Sequence, residues 1–204
     1  MSQDDVHGVS HRWSQWRAVN DLEEYFARWN RLEAAGQSAH GEADFIESLH
    51  PSSVLDAGCG MGRVGIDLAR RGIDVVGGDL DDDLLAFARR SQPSIRWVHA
   101  DLATMRLERR FEIVAMPGSV MIFCRPEDRR AIIGNAAAHL EAGGLLVAGF
   151  PLESHDDALT LAEYDRLCAE CDLELVQRWS SWHGDPYRGD AYAVSVHGRA
   201  RPSS

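Results

Sequence analysis

The stretch from Val54 to Arg63 places the strongest constraint on how this chain can fold. It reads V-L-D-A-G-C-G-M-G-R, an apolar strand that ends near an acid and runs through three alternating glycines into a predicted helix. Glycine lets the backbone turn sharply and lets a ligand approach where a Cβ would collide. In an open α/β sheet, ligands bind at this carboxyl end of the strands. The segment therefore predicts an α/β fold with a ligand site at the turn.

Strands and helices alternate along the rest of the chain. Asp81 and Pro126 are placed to begin two of the helices. Regular β-α alternation implies a mostly parallel sheet with helices on both faces. The last two strands have no helix between them, so we expect them to pair antiparallel at an edge. The prediction is a doubly wound, seven-stranded, mostly parallel sheet with an antiparallel final strand, formed by residues 54–57, 74–77, 95–99, 112–116, 145–150, 173–179 and 191–197.

The region before the first strand is predicted to be helical. Apolar residues recur at three- and four-residue steps over 14–35, which indicates one helix with an apolar face. A second helix is expected over 42–49, ended by His50 and Pro51. We expect residues 1–50 to form a helical cap or lid and residues 51–204 the ligand-binding part of one compact domain.

Composition excludes several functions. The net charge of −11 argues against a broad nucleic-acid surface. The chain contains no lysine, which excludes a lysine Schiff base and a P-loop lysine. No apolar run approaches the ~20 residues that span a bilayer, and the N-terminus lacks the pattern of a signal peptide. We therefore expect a cytoplasmic protein that has neither nucleic acid nor membrane as a partner.

Two short spacings suggest metal or redox sites, and we expect neither to be one. Cys168 and Cys171 have CxxC spacing, but no second pair completes a metal site and the pair falls at the end of a predicted helix. His7 and His11 have the spacing of ligands on a helix, with no third ligand nearby. No metal is predicted.

The glycine turn has a second interpretation. Gly60-x-Gly62-x-x-Gly65 matches the dinucleotide pattern, and Asp79 lies at a plausible distance for a ribose-binding acid. An NAD-dependent oxidoreductase would follow. This match puts Gly65 inside the helix and leaves Asp56, ahead of the turn, without a role. It is the weaker interpretation.

Residues 52–150 resemble the class I S-adenosylmethionine-dependent methyltransferase family. Asp56-x-Gly58-x-Gly60-x-Gly62 looks like the first motif of that family. The resemblance implies S-adenosylmethionine as the cofactor. It also implies that the glycine backbone, with Cys59, packs against the amino-acid part of this molecule while the acid positions its methionine end.

The next three strand ends continue the resemblance. Asp79, followed by Leu80, looks like the acid that accepts hydrogen bonds from the ribose hydroxyls. Asp101 and Leu102 resemble the pair around adenine, which bind its exocyclic amine and its ring. Met116, at the end of the fourth strand, is expected to face the transferred methyl group.

The implied reaction is direct displacement at a sulfonium methyl group, and the acceptor is the open question. Met116-Pro117-Gly118-Ser119 stands where several amine methyltransferases carry Asn or Asp followed by Pro-Pro-Tyr. Ribose 2′-O-methyltransferases need a lysine that this chain lacks. With the acidic charge, these departures favour a small-molecule acceptor. The alternative is a protein of this fold that binds S-adenosylmethionine without transferring its methyl group.

Two segments are candidates to cover the site. The first contains Trp13, Trp16 and Arg17 near the N-terminus, and the second is the loop 182–188 with Trp182. We expect both to close over the methyl donor and contact the substrate. In the second loop, His183 and Tyr187 are candidate general bases, although a base is needed only if the acceptor arrives protonated. Glu42 either borders the cofactor or stabilises the start of its own helix.

Overall fold

The computed structural model describes residues 9–34, 41–153 and 158–200, with the backbone alone at 28–30 and 32–34. Its helices are α1 His11–Val19, α2 Leu22–Ala34, α3 Gly41–Ser48, α4 Arg63–Arg70, α5 Asp82–Ser91, α6 Val120–Phe123, α7 Arg129–Ala138 and α8 Leu161–Ala169. Its strands are β1 Ser53–Ala57, β2 Asp74–Asp79, β3 Arg96–His99, β4 Phe111–Met116, β5 Leu140–Pro151, β6 Leu173–Trp179 and β7 Tyr192–Arg199.

The seven strands form one sheet in the order β3-β2-β1-β4-β5-β7-β6. The pairs from β3 to β5 are parallel, and β7 is antiparallel to both of its neighbours. The predicted doubly wound α/β fold with an antiparallel final strand is confirmed. Because the chain order reverses between β1 and β4, the carboxyl ends of β1, β2 and β4 open a crevice at this switch point.

The sheet is covered on both faces. Every residue of β1 is buried, as expected for a central parallel strand. Val54 belongs to the core cluster beneath α3, α4 and α5, while its neighbour Leu55 belongs to the cluster beneath α7 and α8. This alternation follows from the two-residue period of a strand. No helix in the described part of the chain combines the length and apolarity needed to cross a membrane.

The N-terminal region differs from the single helix predicted over 14–35. The chain leaves helical geometry at Asn20 (φ −110°, ψ 121°). Asp21 then accepts a hydrogen bond from the backbone N–H of Glu24 at 2.9 Å, which is the arrangement of an N-cap. Ser10 caps the first helix in the same way through Trp13, at 3.0 Å. Two helices therefore replace one, and the chain can change direction between them.

Two other elements differ from expectation. β5 begins at Leu140, five residues before the predicted start, and β4 pairs with it through a bulge between Phe111 and Ile113. The short helix α6 was not predicted. It follows Gly118 (φ 68°) and Ser119 (φ 66°), whose left-handed conformations turn the chain back over the end of β4.

Candidate active site

The glycine turn between β1 and α4 brings the backbone close to its neighbours. Gly58 and Cys59 donate their backbone N–H groups to the carbonyl oxygen of Gly78 on β2, at 2.8 and 3.1 Å. At Gly58 (φ 79°) a Cβ would lie 2.5 Å from Cγ2 of Val120. Glycine is needed here because α6 packs directly on the turn.

Asp56 lies at the end of β1 beneath this turn and is completely buried. Its Oδ2 accepts a hydrogen bond from the backbone N–H of Gly65 at 2.9 Å, in the first turn of α4. Its Oδ1 has no hydrogen-bond partner. Burial raises the pKa of Asp56 to about 7, against the lowering effect of the Gly65 N–H. A buried carboxylate oxygen without a partner suits a cationic or hydrogen-bond-donating ligand group.

Asp79 lies at the end of β2, next to the turn. Its Oδ2 accepts from the backbone N–H of Gly60 at 2.7 Å, and its Oδ1 accepts from that of Asp81 at 2.9 Å. Burial raises the pKa of Asp79, while these backbone donors lower it. At the end of β3, Asp101 accepts from the backbone N–H of Ala103 at 2.8 Å. The three acids thus stand on neighbouring strand ends, each oriented by the backbone.

A cavity of about 380 Å³ opens above these acids. This volume lies within the roughly 300–1,000 Å³ of ligand pockets. Among the predicted cofactor residues, the wall contains Asp56, Gly58, Cys59, Gly60, Asp79, Leu80, Asp101 and Leu102. The other lining residues are Val9, Ser10, Trp13, Trp16, Tyr25, Met61, Arg63, Val64, Leu84, Pro117, Gly118, Ser119, Val120, Ile122, Phe123, Cys124, Arg125, Asp128 and Ile132.

Four aromatic rings close part of the cavity and are called the roof here: Trp13, Trp16, Tyr25 and Phe123. The two tryptophans of α1 stack with ring centroids 4.9 Å apart. Phe123 of α6 meets Trp13 edge-on at 5.4 Å, and Tyr25 of α2 meets Trp16 edge-on at 5.2 Å. Such edge-to-face contacts stabilise by about 0.5–1.5 kcal/mol beyond the area they bury.

Ion pairs attach α1 to the sheet on both sides of the cavity. Arg17 contacts Asp81 at 2.7 Å and Asp83 at 2.9 Å, at the start of α5. Arg12 forms a two-pronged pair with Glu153, just beyond β5. Asp81 also donates its backbone N–H to the carboxylate of Asp79. Asp81 therefore connects helix α1, which carries part of the roof, with an acid in the cavity wall.

Two predicted cofactor residues do not line the cavity. A Cβ at Gly62 (φ 80°) would lie 2.6 Å from the ring of Trp97, so this glycine serves the packing of α4 against β3 and α5. The side chain of Met116 is 1% exposed and belongs to the core beneath α7. The chain presents Pro117, Gly118 and Ser119 to the cavity instead.

The loop 182–188 is also placed differently from the lid prediction. The indole of Trp182 packs against Phe45 and donates its Nε1–H to the phenol oxygen of Tyr192 at 3.0 Å. His183 is exposed and Tyr187 is half-buried. None of these loop residues is among those that line the cavity. The expectation that they cover the methyl donor is not supported by these contacts.

Sequence reasoning missed several residues of the site, and three of them matter most for its shape and charge. Phe123 and Tyr25 complete the roof, and Arg63 lines the wall while pairing with Glu42 at 3.0 Å. The place of Arg63 right after the glycine turn was a usable signal for a wall residue. Glu42 had been given two interpretations, and this pair favours the one that borders the site. Cys168 lies buried on α8, Cys171 follows that helix, and both are free thiols. His7, one of the two histidines with the spacing of metal ligands, lies outside the described residues.

The site fits S-adenosylmethionine on an observation independent of family resemblance. The unpartnered Oδ1 of Asp56 offers an acceptor to the ammonium group of the methionine end. The acids on β2 and β3 present further acceptors to the same cavity, which suit the hydroxyl and amine donors of an adenosyl group.

Comparisons with known proteins agree with this fit. Residues 54–144 match the family described as methyltransferase domain. A TehB-like SAM-dependent methyltransferase of known structure from Corynebacterium glutamicum is 33% identical, with a TM-score of 0.79 over 87% of this chain and 97% of that one.

Two curated relatives are more distant or match a shorter segment. A dTDP-3-amino-3,4,6-trideoxy-alpha-D-glucopyranose N,N-dimethyltransferase of Streptomyces venezuelae is 34% identical over 52% of this chain and 46% of its own length. A probable S-adenosyl-L-methionine-dependent methyltransferase TehB of Haemophilus influenzae is 26% identical over 86% of this chain and 62% of its own length. The chain thus spans less than two thirds of either relative. Together with the site, the match to the Corynebacterium structure shows that the chain belongs to the class I S-adenosylmethionine-dependent methyltransferases, with S-adenosylmethionine as its cofactor.

Proposed function

We propose that the protein transfers the methyl group of S-adenosylmethionine to a small-molecule acceptor by direct displacement. The observation that carries this proposal is the roofed cavity above the three strand-end acids. A chamber closed by Trp13, Trp16 and Phe123 admits a compact acceptor, whereas a polymer would need an open groove. The amino-sugar substrate in the name of the Streptomyces relative is consistent with a small acceptor.

The chain's own residues would hold the cofactor in three places. Asp56 would accept from the ammonium group, Asp79 from the ribose hydroxyls and Asp101 from the adenine amine. When bound, the cofactor supplies an electrophilic methyl group on a sulfonium. The protein's contribution is to align the acceptor with this group and to exclude water, because the departing thioether needs no proton.

We also propose that, within the predicted cap of residues 1–50, α1 and α2 serve as the lid of the part formed by residues 51–204, whereas α3 packs on the sheet. This proposal is supported by the position of α1, whose tryptophans line the cavity and whose two arginines form ion pairs with other elements. Arg17 binds the start of α5, and Arg12 binds Glu153 after β5.

The first experiment is calorimetric titration of the purified protein with S-adenosylmethionine, S-adenosylhomocysteine and NAD. We expect micromolar binding of the two adenosyl ligands and none of NAD. Asp79→Ala should abolish this binding. Asp82→Ala is the matched control, because Asp82 is an exposed acid on the same segment that pairs with Arg89 outside the cavity wall.

A second experiment tests the acceptor. Protein incubated with methyl-labelled S-adenosylmethionine and a cell extract is separated into low-mass, protein and nucleic-acid fractions. Label in the low-mass fraction is the expected result. Label confined to protein or nucleic acid would contradict the proposal, even if the cofactor binds as expected.

A further inference from the structure

The cavity is lined by more acidic than basic side chains. Four carboxylates line it, from Asp56, Asp79, Asp101 and Asp128, but only two guanidinium groups, from Arg63 and Arg125. The chain has no lysine, so arginine is the only fixed cation available. The cavity wall therefore carries more acid than base.

Each arginine of the wall and of α1 is bound to a carboxylate. Arg63 pairs with Glu42, and Arg125 pairs with Asp128 through its Nε. On α1, Arg12 and Arg17 are bound as described above to carboxylates on the sheet side. Within the described parts of the chain, no guanidinium at the cavity remains without a carboxylate partner. Arg28, whose side chain is not described, and Arg201, in residues 201–204, lie outside this account.

This pairing works against an anionic acceptor. A carboxylate or phosphate entering the cavity would have to share a guanidinium whose charge a carboxylate already offsets, or lie near acids without a cation of its own. Both cost free energy, because an isolated anion in a partly dry site is poorly solvated and like charges repel. The aromatic roof, in contrast, offers flat apolar surfaces.

We propose that the methyl acceptor is an uncharged, ring-bearing small molecule that binds against the roof without a carboxylate or phosphate group. This inference rests on the proposed function and narrows its substrate class. A nucleotide-linked sugar, such as the substrate named for the Streptomyces relative, does not fit this class, because every arginine that lines the described cavity already pairs with a carboxylate. Trp13 and Phe123 hold the ring beside Ser119 at the end of β4.

The test measures binding to protein saturated with S-adenosylhomocysteine, so that the cofactor side of the cavity is filled. Calorimetry compares 2-naphthol with 2-naphthoate, which share a ring system and differ in charge at neutral pH, and with thymidine diphosphate. We expect 2-naphthol to bind at least tenfold more tightly than 2-naphthoate, as expected for one uncompensated charge at a partly screened site. Thymidine diphosphate should not bind.

Two variants test whether the roof and the paired arginines cause this difference in affinity. Trp13→Ala should weaken 2-naphthol binding at least fivefold when the variant too is saturated with S-adenosylhomocysteine, since the ring contact is removed. Asp128→Asn should raise the affinity for 2-naphthoate, because it releases Arg125 from its closest carboxylate. Asp82→Asn removes a carboxylate outside the cavity and is the control for the lost charge. It should change the affinity for neither 2-naphthol nor 2-naphthoate.

The inference is overturned if 2-naphthoate or thymidine diphosphate binds as tightly as 2-naphthol, or if 2-naphthol fails to bind at about 5 mM. In either case the bound S-adenosylhomocysteine shows that the cofactor site is intact and that the acceptor class alone was wrong. Failure of S-adenosylhomocysteine to bind at the outset would remove the proposed function together with the inference.

Discussion

Asp56 is expected to make the stability of the ligand-free protein depend on pH. The carboxyl group is fully buried, one of its oxygens has no partner, and burial raises its pKa to about 7. Asp56→Asn is the matching perturbation, because asparagine keeps the shape of the side chain and the oxygen that accepts from Gly65 but cannot ionise.

The sign follows from proton binding. Between roughly pH 4 and 7 the folded chain holds a proton on Asp56 that the unfolded chain releases, so the free energy of unfolding falls as pH rises. About two pH units separate pH 5 from the pKa of Asp56 in the folded chain, and each unit lowers the free energy of unfolding by about 1.4 kcal/mol. The wild type should therefore lose about 3 kcal/mol of stability from this residue by pH 8, whereas the asparagine variant should not.

Urea unfolding of ligand-free wild type and Asp56→Asn at pH 5 and pH 8 measures this difference. We expect the stability of the variant relative to the wild type to rise by about 3 kcal/mol between the two pH values. Asp82→Asn is the control: Arg89 lowers the pKa of that exposed carboxyl, which is therefore ionised in both the folded and the unfolded chain from pH 5 to 8 and should add no pH dependence there. A constant difference between wild type and Asp56→Asn at both pH values would refute the reasoning.

Three further substitutions test the packing and the roof. Gly62→Ala should cost about 2–4 kcal/mol in thermal or urea unfolding, because its Cβ would meet Trp97 at 2.6 Å in a left-handed backbone. Wild-type stability would mean that the indole moves aside. Arg17→Met removes both pairs to α5, so S-adenosylhomocysteine should dissociate several-fold faster in stopped flow, with stability changed by less than about 1 kcal/mol. An unchanged dissociation rate would show that these ion pairs do not keep α1 closed over the cavity. Tyr192→Phe leaves the Trp182 N–H without its acceptor and should cost about 1–3 kcal/mol of stability in urea unfolding. Unchanged stability would show that the indole N–H finds another acceptor.

The cofactor side of the cavity was predictable because its signals are local. Asp56, Asp79 and Asp101 each end a short apolar run, and parallel strands bring such ends to one edge of the sheet. The predicted cap at Asp81 is present, with its side chain accepting from the N–H of Leu84 at 3.2 Å. Fold class and cofactor followed from these residues without knowledge of long-range packing.

The N-terminal break could not be found from periodicity. The apolar repeat continues across Asn20 and Asp21 almost in phase, so a two-residue interruption changes the pattern very little. The capping bond from Glu24 to Asp21 marks the start of the second helix, and the spacing of an aspartate and a glutamate three residues later was the local signal for it. Tyr25 consequently faces the cavity from a helix whose direction the sequence did not indicate.

The position of Trp182 had a signal that was not used. Gly149 lies within β5, and a glycine inside a strand often marks the close approach of another group. A Cβ there would lie 2.5 Å from the indole of Trp182. The tryptophan that looked like a mobile loop residue is therefore part of the packing over the sheet. Which loop covers a cavity depends on contacts between residues far apart in the sequence. Composition and periodicity do not reveal such contacts.

The connection through Asp81 has a consequence for the order of events during turnover. Asp81 donates its N–H to Asp79 and also pairs with Arg17, so we expect a bound adenosyl ligand and closure of the proposed lid to stabilise each other. The used cofactor then leaves only after the lid detaches, and release of S-adenosylhomocysteine, rather than methyl transfer, is expected to set the steady-state rate. A burst of methylated product in the first turnover, followed by a slower linear phase, would be the kinetic signature of this arrangement.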